Sequence, residues 1–284
     1  MLTVLRLIAR LPLSFMYAFN GLVYWLCFDV FRWRRTLSLT NLRNAFPELS
    51  EAERLAIARQ SYRNLAQLLA EIFKGARMSA EEMRRRVSFV NAEVLTGHTS
   101  KGQSVVLLAS HHCNWEWLLL AAGARFDIPV DAVYKPQRVA PLDDFLRETR
   151  SRFGGRPIPV KDFLLQVLKR KGEARAFALV ADQTPLQADE KYWTRFLNQD
   201  TAFFVGPEKI ARITRSPVLF VGMRRLRRGY YEAEFTQLAA PPYSGDGSEI
   251  LERYAHAVEA QIRSSPGDWL WLHRKWKYKK PAYA

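Results

Sequence analysis

The chain has 284 residues, a length that is ordinary for a single α/β catalytic domain with an N-terminal attachment. Its content of 48% hydrophobic and 13% aromatic residues predicts one large core and excludes a largely disordered protein. Lysine and arginine total 43 against 28 acidic residues, and the formal net charge of +15 predicts an anionic partner: membrane headgroups, nucleic acid or an acidic protein. The two cysteines, Cys27 and Cys113, give no disulfide framework and favour a reducing compartment.

An uncharged apolar segment occupies residues 11–28, with arginines on both sides. At about 1.5 Å per residue, its length in a helix is roughly 27 Å, the lower limit for crossing a bilayer. A proline, an asparagine and a glycine interrupt the segment, so an interfacial helix and a buried core helix are the alternatives to a spanning one. No small-x-small cleavage site follows, which disfavours a cleaved signal peptide. We predict a retained membrane anchor over residues 1–35 and one catalytic domain, which includes an N-terminal helical portion, over residues 36–284.

Two capping patterns predict where the next helices begin. Ser50 is followed three residues later by Glu53, which is the pattern of a capping box. Ser79 and Glu82 repeat it before a charged helical stretch. The apolar positions after the first pattern have helical spacing and predict an amphipathic helix: Leu55, Ala58, Tyr62, Leu65, Leu69 and Ile72.

From residue 105 onward, short β-rich runs alternate with segments long enough for helices. Residues 230–235 alternate between apolar and polar side chains, which is typical of a strand with one wet face or of an antiparallel edge. The other runs are continuously apolar and predict buried strands at 105–110, 130–134, 174–181 and 218–223. The predicted fold is α/β, with a mostly parallel central sheet flanked by helices.

Residues 110–117 read SHHCNWEW and follow directly on the first predicted buried strand. Ligands of parallel sheets bind beyond the carboxyl ends of the strands, so this position favours a functional site. Asn114 is the predicted N-cap of the next helix, which places Glu116 in the first helical turn and His111 on the turn before it. The Glu116 carboxylate then orients His111 as a general base. A continuous helix would instead pair His112 with Glu116, and a purely structural role for both histidines is the third alternative.

This stretch resembles the H-x4-D/E motif of glycerolipid acyltransferases, and specifically the lipid A lauroyl and myristoyl acyltransferase family, in which it commonly reads H-F-G-N-W-E. Aligned on Asn114 and Glu116, the motif histidine is His111. His112 and Cys113 replace the aromatic and the small residue of the family pattern. The resemblance covers nearly the whole chain, including the blocks at 41–54, 134–154 and 269–277.

The resemblance implies further site residues. The functional arginine of the family corresponds to Arg150 by its spacing from Tyr134. The remaining family blocks match four residues that we predict to bind substrate together with Asn114, and these are Asp182, Gln183, Gly206 and Pro207. Without the resemblance, Arg150 is equally well explained as an exposed helix charge and Asp182 as a turn residue.

The implied activity is O-acyl transfer without a cofactor or a metal. His111 removes the proton of a lipid or sugar hydroxyl as it attacks an acyl thioester. Backbone N–H groups at the helix start after Asn114 stabilise the oxyanion, and Arg150 either assists them or binds a phosphate. The resemblance implies acyl carrier protein as the donor, with acyl-CoA as its competitor, and a lipid A precursor as the acceptor. Lysophospholipids and amino-acid-containing lipids are the alternative acceptors. The implied location is the bacterial inner membrane, with the active site on the cytoplasmic face.

Basic segments at 223–228 and 273–280 suit an acidic donor protein or anionic headgroups, with solvated faces as the alternative. Nearby tryptophans favour a membrane-interface position, with the protein core as their alternative: Trp269, Trp271 and Trp276.

Two other classes of function are disfavoured. A metal-dependent hydrolase would need less crowded ligands than His111, His112, Cys113 and Glu116. We predict no nucleic-acid partner because no recognition module is present.

Overall fold

A seven-stranded sheet forms the centre of the computed structural model, which describes residues 1–170, 172–243, 245 and 248–281. Its strands are β1 (Val87–Phe89), β2 (Val105–Ala109), β3 (Val130–Tyr134), β4 (Gly155–Pro159), β5 (Ala176–Val180), β8 (Val218–Arg227) and β9 (Tyr230–Ala239). Their spatial order is β1-β9-β8-β2-β5-β3-β4, and β8 with β9 is its antiparallel pair. A separate antiparallel hairpin consists of β6 (Lys191–Phe196) and β7 (Gln199–Phe204).

The predicted fold class is confirmed, because the sheet is mostly parallel and helices cover it on both faces. Every strand predicted from an apolar run is present, and β9 shows the expected alternation of buried and exposed residues. β9 is antiparallel to β8, but it is an interior strand because β1 pairs with its other side. Sequence analysis missed β1, which is short, and β4, whose residues Pro157 and Pro159 are unusual in strands.

Helices connect these strands and precede them. Those of the N-terminal half are α1 (Leu2–Ile8), α2 (Leu13–Ala18), α3 (Asn20–Trp25), α4 (Arg35–Ala45), α5 (Glu51–Gly75), α6 (Ala80–Arg86) and α7 (Glu93–Thr99). Those of the C-terminal half are α8 (Trp115–Arg125), α9 (Ala140–Arg150), α10 (Phe163–Lys169), α11 (Gly206–Thr214) and α12 (Ser248–Ser264). Short 3-10 turns and one π-helical turn, Leu26–Val30, complete the described structure.

The predicted caps form. The Ser50 side chain accepts a hydrogen bond from the Glu53 backbone N–H, and the Glu53 carboxylate accepts one from the Ser50 N–H. The Ser79 hydroxyl accepts a hydrogen bond from the Glu82 N–H at 3.1 Å. These bonds satisfy donors at the starts of α5 and α6 that have no partner within the helix, so local sequence determined both helix starts.

The apolar N-terminal segment is largely exposed. Over Leu13–Val30 the mean hydropathy is 1.3, and 22% of this stretch is buried in the structure. By length and composition the stretch is sufficient to cross a membrane. Pro12 precedes the stretch as the N-cap of α2, and Asn20 divides it as the first residue of α3. The exposed apolar side chains disfavour the alternative of a core helix. The division into an anchor and a catalytic domain at residue 35 stays a prediction. Residues 282–284 of the predicted catalytic domain lie outside the described residues.

The tryptophans of the C-terminal segment lie in the protein core, so the prediction of an interfacial position was wrong for them. Trp269 and Trp271 are buried, and their rings pack edge to face with centroids 4.7 Å apart. Trp276 is partly buried and packs against the same core, where its indole N–H donates to the Thr201 hydroxyl at 2.7 Å. Large aromatic rings stabilise a core when their N–H groups find acceptors, and all three indoles have one.

The two basic segments are also less exposed than predicted. Arg225 is largely buried and donates to the Asp268 carboxylate at 2.8 Å. Lys275 is fully buried beneath the hairpin. Other cations of the same segments, Arg224, Arg227 and Lys277, are exposed. Each segment is therefore partly structural and offers only some of its charges to a partner.

Candidate active site

His111 and Asp182 form the central pair of the site. Strands β2 and β5 are parallel neighbours, and their register aligns Ala109 with Val180. His111 and Asp182 each lie two residues beyond these partners, so the register brings their side chains together. The Asp182 carboxylate oxygen Oδ1 lies 2.6 Å from His111 Nδ1, and Oδ2 accepts the His111 backbone N–H at 3.0 Å.

Asp182 is held as a buried carboxylate. Burial alone would raise the pKa of Asp182, but the charge of His111, its hydrogen bonds and the indole N–H of Trp269 lower it to about 2. The carboxylate therefore selects the His111 tautomer that carries its proton on Nδ1. His111 Nε2 has no hydrogen-bond partner among the described residues, and the side chain is 17% exposed. In the neutral ring with its proton on Nδ1, Nε2 is the nitrogen that can accept a proton from a substrate.

Glu116 does not contact His111 Nδ1 in the predicted way, because that atom is paired with Asp182. Both Glu116 oxygens instead accept hydrogen bonds from Arg150, at 2.9 Å from Nε and 2.6 Å from Nη2. Glu116 lies in the first turn of α8 and Arg150 is the last residue of α9. Both side chains are largely buried, and Arg150 Nη1 is buried without a hydrogen-bond partner in the part of the chain that the structure describes. Sequence analysis named the two residues but did not predict that they form an ion pair.

We expect substitutions of Glu116 and Arg150 to have strongly non-additive effects on the free energy of unfolding. Removing one partner of a buried ion pair leaves an uncompensated charge, so Arg150→Met should lower the free energy of unfolding by about 3–5 kcal/mol. In a Glu116→Gln background, the same substitution should cost much less because no buried carboxylate remains unpaired. Urea unfolding of the four proteins of this double-mutant cycle measures the coupling. Additive losses would contradict the pairing.

Asn114 supports the site from inside the protein. It is fully buried, and its side-chain oxygen accepts the Trp117 backbone N–H at 2.9 Å, which confirms the predicted N-cap of α8. Its side-chain N–H donates to Glu71 at 2.7 Å. Because both ends of its amide are engaged within the protein, Asn114 positions the helix start and does not present a free group to substrate.

Glu71 is a buried residue near the site that sequence analysis missed. Besides Asn114, its carboxylate accepts hydrogen bonds from the hydroxyls of Tyr17 and Tyr231, each at 2.6 Å. Tyr17 belongs to the N-terminal apolar segment, and Tyr231 belongs to β9. Glu71 occurs within an amphipathic helix, where sequence alone gives it no distinction from the solvated glutamates. Its hydrogen bonds link the N-terminal segment to the start of the helix that carries Glu116.

His112 has a structural place. Its ring is buried, with Nε2 3.0 Å from the Ser265 carbonyl oxygen and Nδ1 3.2 Å from that of Met223. Burial lowers the pKa of His112, so the neutral ring donates to one of the two carbonyls at a time. The adjacent Cys113 has a positive φ of 56° and donates its backbone N–H to Asp268. Together these contacts attach the motif turn to the C-terminal segment.

The C-terminal segment also closes over the residues that follow Asp182. The Thr184 backbone N–H donates to His273 Nε2 at 3.1 Å, and burial lowers the pKa of His273 to about 4, so this ring is neutral at pH 7. Lys275 Nζ donates to the backbone oxygens of Ala202, at 2.9 Å, and Gln183, at 3.3 Å. These hydrogen bonds, one from the Thr184 N–H and one to the Gln183 oxygen, fix the loop after β5 that contains Asp182, the His111 partner.

Lys275 should give the protein a distinct stability profile at alkaline pH. Burial lowers its pKa from 10.5 to about 7. Between these values the unfolded chain binds a proton that the folded chain does not, so the Lys275 contribution to the unfolding free energy should rise with pH from about 7 toward 10.5. Urea unfolding of wild type and Lys275→Met at several pH values isolates this contribution as a difference. Parallel curves for the two proteins would contradict it.

Gly206 and Pro207 are the first two residues of α11, with Pro207 buried. Since α11 ends next to the start of β8, its first residues lie toward the edge at which β2 and β5 end. Their predicted contact with substrate stays a prediction. Among the described residues, no cluster of three or more histidine, cysteine, aspartate or glutamate side chains has an arrangement suited to a metal ion.

Comparison with known proteins identifies the family of the chain. The family model described as "Bacterial lipid A biosynthesis acyltransferase" matches residues 1–278. A lipid A biosynthesis acyltransferase of Haemophilus influenzae is 25% identical over 247 residues, which cover 84% of this chain and 74% of the relative. A lipid A biosynthesis lauroyltransferase of Escherichia coli (strain K12) is 25% identical over 283 residues, which cover 96% of this chain and 89% of the relative.

Proposed function

Because the chain belongs to the bacterial lipid A biosynthesis acyltransferase family and is an acyltransferase, we propose that it transfers a fatty acyl chain from an acyl thioester to a hydroxyl of a lipid A precursor or related glycolipid. The single observation that carries the catalytic part of this proposal is the His111–Asp182 pair, in which Nδ1 is bound to a carboxylate and Nε2 is free among the described residues. Such a pair is suited to general-base catalysis.

In the proposed reaction, His111 Nε2 accepts the proton of the acceptor hydroxyl while the hydroxyl oxygen attacks the thioester carbonyl carbon. The Asp182 carboxylate stabilises the imidazolium that forms. The tetrahedral intermediate then breaks its carbon–sulfur bond, and the imidazolium returns the proton to the departing thiolate. The products are an ester and a thiol, and the step requires no covalent acyl-enzyme.

The oxyanion of that intermediate needs donors that are already oriented. The first backbone N–H groups of α8 suit this role, because the first N–H groups of a helix lack partners within it. Arg150 is a second source of positive charge, since its buried Nη1 atom has no hydrogen-bond partner among the described residues while Nε and Nη2 are bound by Glu116. We assign Glu116 the role of positioning Arg150 toward either the oxyanion or a substrate phosphate.

The proposed donor is acyl carrier protein, with acyl-CoA as the alternative. The exposed cations of the basic segments, which include Arg224, Arg227 and Lys277, are suited to an acidic donor protein. The proposed location is the inner membrane, with the site on the cytoplasmic face. The exposed apolar side chains of the N-terminal segment support membrane attachment over residues 1–35.

The test is acyl transfer by the full-length protein from labelled acyl carrier protein and from acyl-CoA. The acceptor panel contains a lipid A precursor, a lysophospholipid and an amino-acid-containing lipid. Preferred transfer to the lipid A precursor from the carrier protein supports the proposal. Preferred transfer to another lipid would reassign the acceptor while keeping the reaction, and hydrolysis of the thioester without any acylated lipid would contradict the proposal.

A further inference from the structure

A small cavity lies where the first helix meets the catalytic domain. Its volume is about 200 Å³, and its walls come from α1, the end of α5, α9 and the turn after α9. Arg6, Arg77 and Arg152 line it together with a single carboxylate, Glu148. None of these residues belongs to the His111–Asp182 or Glu116–Arg150 pairs, so the cavity has no part in the proposed proton transfer.

Among the described residues, two of the three arginines of this cavity, Arg77 and Arg152, have no carboxylate partner. Arg6 is paired with Glu148 at 2.6 Å, which leaves two cations without a carboxylate. Arg152 donates to the backbone oxygens of Gly75, at 2.5 Å, and Met78, at 2.7 Å, so neutral carbonyls fix its guanidinium in place. The side chain of Arg77 makes no hydrogen bond or ion pair with the described residues. Burial and the nearby Arg77 charge both lower the pKa of Arg152.

Two guanidinium groups that line one cavity without a carboxylate partner among the described residues are suited to binding an anion. Guanidinium groups bind phosphate oxygens through paired, charge-assisted hydrogen bonds, and an anion here would also relieve the repulsion between Arg77 and Arg152. The lining also contains the apolar residues Ala9 and Phe145. The cavity therefore combines charged and apolar lining residues, which suits an amphipathic ligand.

The position of the cavity indicates where such a ligand comes from. Arg6 belongs to α1, and Val4 and Leu7 of the same helix are 55% and 53% exposed. Apolar side chains exposed beside arginines are typical of a helix at the level of lipid headgroups. A lipid whose phosphate enters the cavity can extend its acyl chains along this exposed face of α1.

We propose that this cavity binds the phosphate of an anionic lipid headgroup, with Arg77 and Arg152 as its ligands and the acyl chains against α1. The bound lipid holds the N-terminal helix against the catalytic domain. This site is separate from catalysis and does not depend on the proposed acyl acceptor.

The test uses the full-length protein in a non-ionic detergent and follows its thermal unfolding as short-chain phosphatidic acid is added. Short-chain diacylglycerol, which has the same chains without phosphate, is the matched ligand control. Phosphatidic acid should raise the unfolding temperature of wild type saturably, and the apparent Kd should be weaker by about tenfold in Arg77→Gln. Arg77 is the residue to substitute because its exposed side chain supports no described contact, so the variant should fold. Arg59→Gln, which changes an exposed arginine of α5, is the matched protein control.

Each outcome decides the proposal. A phosphate-dependent shift that Arg77→Gln weakens and Arg59→Gln preserves supports the site. Equal saturation by inorganic phosphate alone supports an anion site but overturns its assignment to a lipid. Equal shifts with phosphatidic acid and diacylglycerol, or an unchanged Kd in Arg77→Gln, overturn the proposal. Acyl transfer is not the readout, so failure here is distinguishable from failure of the proposed function.

Discussion

His111→Ala is expected to lower the rate of acyl transfer by about 10²- to 10⁴-fold, because it removes the only ring nitrogen that the Asp182 pair presents to substrate. The effect should be in kcat, since the base acts in the transition state, whereas binding of donor and acceptor should change little. Single-turnover transfer from a labelled acyl thioester measures the chemical step directly.

The matched control is His256→Ala, which removes an exposed histidine of α12 whose partner is Glu252. It should retain wild-type transfer. His112→Ala is unsuitable as a control, because the buried His112 ring packs between two backbone carbonyls and its loss should destabilise the motif turn. If folded His111→Ala transferred the acyl chain at the wild-type single-turnover rate, His111 would not be the general base.

Asp182→Asn is expected to lower kcat by about 10³- to 10⁴-fold through the tautomer of His111. An asparagine oxygen can still accept the His111 backbone N–H and the Trp269 indole N–H, which both bind Oδ2 in the wild type. Its NH₂ group then faces His111 Nδ1, which must become an acceptor and move its proton to Nε2. A protonated Nε2 cannot accept the hydroxyl proton, so the geometry survives while the base is lost.

The matched control is Asp189→Asn. Asp189 is another aspartate of the loop after β5, and its carboxylate accepts the backbone N–H of Leu186. It should leave kcat near wild type. The KM of Asp182→Asn should stay near the wild-type value, since a structural collapse of the site would raise KM as well as lower kcat. Full activity of folded Asp182→Asn would show that Asp182 is not the carboxylate that orients His111.

Much of the fold was readable from the sequence because its signals are local. Continuous apolar runs predicted the buried strands β2, β3, β5 and β8, and serine–glutamate spacings predicted the starts of α5 and α6. The cap of α8 by Asn114 was equally local, as its side chain bonds a backbone N–H three residues ahead. Such features depend on neighbours within one turn or one strand, so periodicity and residue type suffice to predict them.

Tertiary structure alone decided which charged groups pair. His111 and Asp182 are 71 residues apart, and they meet because β5 lies beside β2 in a register that aligns their ends. Glu116 is bound by Arg150, which lies in another helix. Local sequence placed Glu116 near His111, but a side chain in the first turn of a helix can face either the preceding turn or a neighbouring helix, and packing decides between them.

Packing between distant parts of the chain also decides which charged and aromatic side chains are buried. The sequence by itself determined the elements, the motif turn at the end of β2 and the candidates His111, Glu116, Arg150 and Asp182. It did not determine that Trp269 and Lys275 are internal or that Glu71 supports Asn114, because burial depends on what the rest of the chain places over a residue. Local periodicity carries no information on strand order or register, and only the assembled sheet fixes which distant side chains come within hydrogen-bond distance.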